Sequence, residues 1–150
     1  MRSRTVIWFE CKVRYEKTME DGTIKKVTEV YVVDALSFSE AEKRITEEMS
    51  SYVSGELEIC NLKIAPYKEI FFADNDKFAD AWYKAKLVFI TIDEKTDKEK
   101  KTSVNYLVNA GNFNSALKNI NEIMEGTMID YQTCNLSETK IEDVVEYKAK

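Results

Sequence analysis

TVIWFECKVRYE, residues 5–16, alternates. Phe9, Cys11, Val13 and Tyr15 fall on one side, and Trp8, Glu10, Lys12 and Arg14 on the other. Period two with β-branched and aromatic residues is the pattern of a strand with one buried face. WYKAKLVFITI, residues 82–92, restates it, with Tyr83, Ala85, Leu87 and Phe89 on the core side and Trp82, Lys84 and Lys86 opposite. Further on, Tyr31, Val33, Ala35, Phe38, Ala41, Ile45 and Met49 match Tyr106, Val108, Ala110, Phe113, Ala116, Ile120 and Met124. Cys60-Asn61-Leu62 recurs as Cys134-Asn135-Leu136, and the spacing throughout is 74 to 75 residues.

Each half reads as strand, strand, helix, strand. Asp21-Gly22 is a hairpin signal, because a tight turn needs positive φ and glycine adopts it at little cost. Residues 27–34 return as a strand. The period then changes. Ser37 and Glu40 have capping-box spacing, and Phe38, Ala41, Ile45, Met49 and Tyr52 follow at helical intervals, with Gly55 as the expected stop. Residues 56–64 are the third strand, and 69–72 a short edge strand. In the second half the turn at 93–101 is charged and reads as a solvated loop. Residues 102–109 return, Asn112 caps a helix that Gly126 stops, and 128–136 form the last main strand. Residues 141–147 read as an edge strand or short helix, and the tail at 148–150 is expected to fray.

The predicted fold class is therefore α+β: an internal duplication of a β-β-α-β(β) unit, with antiparallel sheets each carrying one packed helix and a pseudo-two-fold between them. About 70 residues bury little core alone. One domain, residues 1–150, is expected, made of repeats at about 5–72 and 80–147. The segment 73–81 reads as the connection inside it or a short helix.

Composition narrows the function. The chain has 150 residues, 44% hydrophobic and 11% aromatic, enough to fill a core. Its net charge of −5 is shared evenly, with 11 cations against 14 acids in residues 1–74 and 11 against 13 in 75–150. No global attraction to polyanions exists, so any such binding needs a local patch. Three cysteines without CxxC spacing fit buried thiols in a reducing compartment. Met1 to Arg4 lead into a strand pattern rather than an apolar signal segment, and no apolar run is long enough to span a membrane. The expected location is cytoplasmic.

Histidine is absent, which removes the commonest general base and metal ligand and any Ser-His or Cys-His pair. The four glycines sit at turns and helix ends, and none belongs to a phosphate loop. Glu47-Glu48, Asp93-Glu94 and Glu142-Asp143 read as solvated faces. No enzyme, cofactor or metal is expected.

One constellation remains. Trp8, Lys12 and Arg14, with Trp82, Lys84 and Lys86, set an aromatic ring beside cations on the outer face of each first strand. Bases stack on such rings for about 1–3 kcal/mol each while cations follow the phosphates. The leading expectation is thus a non-enzymatic module for single-stranded nucleic acid. The competing one is that the rings are buried within the domain or at a subunit interface, and that the chain is an interaction module pairing with itself as a homodimer or with a protein partner. An enzyme ranks below both.

The opening WFECKV, the tract VVDALSFSEAE and the segment CNLKIAPYKEI resemble an uncharacterised family of about this length, associated with gut Bacteroidetes and the crAss-like phages that infect them. The resemblance covers nearly the whole chain. It implies a small cytosolic or phage-encoded protein, supplies no catalytic residue, and would suit a single-strand binder in phage replication.

Overall fold

The strands and helices expected from the alternation all form, and one more short strand, at Arg2–Ser3, joins them. The computed structural model describes residues 1–53 and 55–147; the expectation for 148–150 lies outside the described residues. In chain order the elements are β1 (Arg2–Ser3), β2 (Trp8–Thr18), β3 (Ile24–Asp34), α1 (Phe38–Met49), β4 (Glu58–Ile64), β5 (Glu69–Phe72), β6 (Ala81–Ile92), β7 (Glu99–Ala110), α2 (Phe113–Glu125), β8 (Asp130–Glu138) and β9 (Ile141–Val145). The class is α+β, with two helices and two mixed sheets among the described residues.

The chain divides into two compact units. The N-terminal unit is Val6–Ala65 with Lys140–Lys150. Its sheet has the order β4-β2-β3-β9, and α1 packs on it. Phe9, Cys11, Val13 and Tyr15 meet Ala41, Ile45 and Met49 in one buried cluster. Each such large apolar side chain contributes about 1.5–3 kcal/mol when fully buried. The C-terminal unit is Met1–Thr5 with Pro66–Thr139. Its sheet has the order β1-β5-β7-β6-β8, with Ala85, Leu87, Phe89, Tyr106 and Val108 packed against Ile120 and Met124 of α2.

Local chemistry sets most boundaries as expected. Gly22 turns the β2–β3 hairpin at φ 84°, and Asp21 Oδ1 accepts from the Thr23 amide and hydroxyl. Ser37 accepts from the Glu40 amide at 3.1 Å and Asn112 from the Ser115 amide at 2.8 Å. The first helix stops earlier than Gly55. Ser50 is its C-cap, with the hydroxyl donating to the Glu47 carbonyl at 2.6 Å.

The main departure concerns the fourth strands. Antiparallel sheets are the expectation, with the order of the strands open. Instead β5 pairs parallel with β7, and β9 pairs parallel with β3. The reason is the length of the connections. A parallel neighbour in the same sheet needs a crossover of a dozen or more residues. Only residues 65–68 separate β4 from β5, and only 139–140 separate β8 from β9. Neither strand crosses back to the far edge of the hairpin it follows in sequence; β5 instead lies beside β7 and β9 beside β3.

Each exchanged strand is held at its far end in the same way. Asp34 Oδ1 accepts from the Tyr147 amide at 2.7 Å, and Asn109 Oδ1 from the Ala73 amide at 3.4 Å. The helix ties down the same corner. Arg44 donates to the Asp34 carbonyl and Asn119 to the Asn109 carbonyl, both ten residues away in sequence. Arg44 also pairs with Glu40 at 2.6 Å and lies 3.9 Å from the centre of the Tyr147 ring.

The recurring Cys-Asn-Leu also acquires a cause. The β2–β4 register shifts between Lys12 and Val13, and the β6–β8 register between Lys86 and Leu87. The extra residue is Cys60 in one sheet and Cys134 in the other, each at a β-bulge. Both thiols are exposed, which corrects the expectation of three buried cysteines. The bulge displaces the cysteine from the alternation while Leu62 and Leu136 resume the core side. Cys11 alone is buried, and burial pushes its thiol up to about 12.

Two outcomes follow. A thiol reagent at neutral pH should label Cys60 and Cys134 quickly and Cys11 only after denaturation; rapid labelling of all three would refute this packing. Gly111→Ala would place a Cβ 2.5 Å from the Phe78 carbonyl oxygen, whereas a Cβ at Gly55 meets nothing within 4 Å. Chemical denaturation should show Gly111→Ala losing about 1–3 kcal/mol and Gly55→Ala nearly unchanged.

Candidate functional site

The six strip residues fall three to each unit. Lys12, Arg14 and Lys86 are exposed and Lys84 half-buried, on the face away from the helices as expected. Their neighbours across the strands are Val30 and Asn61 for Lys12, Thr28 and Glu58 for Arg14, Leu107 and Ser137 for Lys84, and Asn105 and Asn135 for Lys86.

The rings do not join them at the surface. Trp8 is 4% exposed and Trp82 5%. Trp82 meets Phe72 edge-on, centroids 5.4 Å apart, and Arg2 covers Phe72 in turn at 4.3 Å. The carbonyl of Trp82 accepts from the Thr139 amide and that of Trp8 from the Ala65 amide, both at 2.8 Å. A tryptophan carries so much apolar area that a position near the strand start, where loop and neighbouring strand close in, favours burial over solvent. The expected stacking platform is therefore corrected: Lys12, Arg14, Lys84 and Lys86 stand on the sheets without an accessible indole.

A different cluster stands out in the N-terminal unit. Tyr15, Glu29 and Tyr31 lie on the helix side of β2 and β3. The Tyr15 hydroxyl donates to Glu29 Oε1 at 2.6 Å and the Tyr31 hydroxyl to the same oxygen at 3.0 Å. Lys17 Nζ lies 3.6 Å from Glu29 Oε2. The Glu29 side chain is only 10% exposed. Burial, reinforced by Glu29, pushes both phenols well above their ordinary range. These groups border an open cavity of about 460 Å³, with Tyr52 and Glu142 at its rim.

Sequence reasoning passed over Glu29. The signal was present: in the return strand the core side runs Val27, Glu29, Tyr31, Val33, and a carboxylate interrupts it. Hydrogen bonds to a charged acceptor are worth about 1.5–3 kcal/mol each, which offsets part of the cost of burying that charge.

Emission from both tryptophans should be blue-shifted and resist acrylamide. Ready quenching would return the indoles to the surface and contradict the packing described.

No curated protein matched this chain. The family model described as a domain of unknown function (DUF4494) matches residues 7–147, and the chain belongs to that family.

Proposed function

We propose that the protein is a non-enzymatic binding module acting through protein contact, with the apolar end of the N-terminal unit as its contact surface. The reading rests on one observation. Leu36 is 82% exposed, Ile64 58%, Phe38 51% and Ile7 47%, and all four lie around one corner of the sheet. Phe38 stacks edge-on with Phe9 at 5.0 Å, Ile64 is Phe9's partner across β4, and the Ile7 carbonyl accepts from the Ala35 amide. Single exposed apolar residues are ordinary, whereas a contiguous group marks an interaction surface.

The matched positions in the C-terminal unit support the point. They hold Ala81, Gly111, Phe113 and Glu138, so the same corner folds there with less apolar surface. The absence of histidine supports a non-catalytic role. Weak phosphate binding through the exposed Lys12, Arg14 and Lys86 is the second reading, without base stacking. A cytoplasmic setting accords with two exposed free thiols, and a phage or Bacteroidetes origin rests on the resemblance of the sequence motifs.

A second copy of the chain is the first partner to test. Light scattering should show a dimer that Leu36→Asp with Ile64→Asp converts to a monomer without loss of helix signal. A wild-type monomer at every concentration would remove self-association. Titration with oligothymidine separates the second reading: binding that weakens with salt and is lost in Lys12→Glu with Lys86→Glu would favour phosphate contact.

A further inference from the structure

The two units differ in kind at one matched place. In the C-terminal unit Phe89, Val104 and Tyr106 pack in the apolar cluster, and Lys68 lays its ammonium 5.5 Å from the centre of the Phe89 ring. The matched residues of the N-terminal unit are Tyr15, Glu29 and Tyr31, and Glu142 stands where Lys68 does. A buried carboxylate replaces a valine, and an acid replaces the lysine. The fold does not require this, since the other unit closes without it.

The cavity that results is lined by Tyr15, Lys17, Glu29, Tyr31, Tyr52 and Glu142. Tyr15 and Tyr31 occupy Oε1 of Glu29 and hold the carboxylate in one orientation. Lys17 Nζ stands 3.6 Å from Oε2, an ion pair longer than a hydrogen bond. Glu142 adds a second negative charge, and the exposed Tyr52 supplies a ring. Carboxylates beside tyrosine rings suit an organic cation, which gains from both the charge and the ring face.

The geometry points to a binding site for a primary ammonium group in the N-terminal unit, with Glu29 as its anchor, Glu142 as the second carboxylate and Lys17 as an internal competitor. In the other unit the matched Lys68 lays its ammonium over Phe89, the ring that corresponds to Tyr15. The ammonium could belong to a free polyamine or to a lysine side chain of a protein partner, and both present the same head on an alkyl stem.

The test uses the full chain and amide chemical shifts. Butylammonium chloride should move the resonances of Tyr15, Glu29, Tyr31, Tyr52 and Glu142 together, and butanol should not. Glu29→Gln, which keeps an acceptor for both tyrosines, should weaken binding at least tenfold. Glu29→Val, which copies Val104, should abolish it. Lys17→Met should tighten binding several-fold, because it removes the competing charge. Cadaverine and N-acetyl-lysine methylamide then distinguish the sources, the tighter binder naming the free amine or the side chain. Shifts scattered over the surface, equal binding by wild type and Glu29→Gln, or no gain from Lys17→Met would each overturn the proposal.

Discussion

The length of two connections governs this fold. A chain leaving β4 or β8 lies at one edge of its sheet, and the edge that a parallel strand fills is on the far side of the hairpin. Reaching it in the observed parallel sense would mean running back the full length of the strand. Residues 65–68 and 139–140 are too few for that. The strand that fills that edge in the parallel sense therefore comes from elsewhere in the sequence. Neither half is whole without the other's strand.

That constraint explains the otherwise costly polar residues at the strand ends. Asp34 is 3% exposed, and an isolated carboxylate there would be strongly unfavourable. Its oxygens instead receive the Tyr147 amide and lie close to Arg44. Asn109 does the same with neutral chemistry, receiving the Ala73 amide and donating to the carbonyls of Ala79 and Ala81. A strand arriving from a distant part of the chain has no turn to fix its register. A side-chain acceptor near the end of the neighbouring strand supplies that fixing: Asp34 is the last residue of β3, and Asn109 the last but one of β7.

Much of this was legible in the residues. Alternation in 8–15 and 82–89 fixed which side chains enter the core, and Ser37, Asn112 and Gly22 marked boundaries through chemistry confined to a few residues. Three features were not legible, each for a physical reason. Parallel pairing of β5 and β9 is non-local, and four to five residues carry no mark of their partner. The bulges at Cys60 and Cys134 break the alternation by one residue, so a cysteine reads as inward when it is not. The tryptophans alternate to the outer face as expected, but alternation states which face a ring occupies and not whether that face is covered. The site suffered most from this last gap, since its lysines were placed correctly and its rings were not accessible.

The comparison of matched positions is more informative than either unit alone. Where the two halves agree, as at Val13 and Leu87, Ile45 and Ile120, or the capping residues, the agreement tracks packing and hydrogen bonds that the fold needs. Where they differ in size, charge or polarity, the fold has shown that it can do without the particular choice. Leu36 against Gly111 replaces close backbone packing with an exposed apolar side chain. Glu29 against Val104 introduces a charge into a layer that closes as hydrocarbon elsewhere. Burying a carboxylate without structural need is selected against unless something else is gained. The differences concentrate in the N-terminal unit, on its apolar corner and its tyrosine-lined cavity, and it is there that a function should be sought.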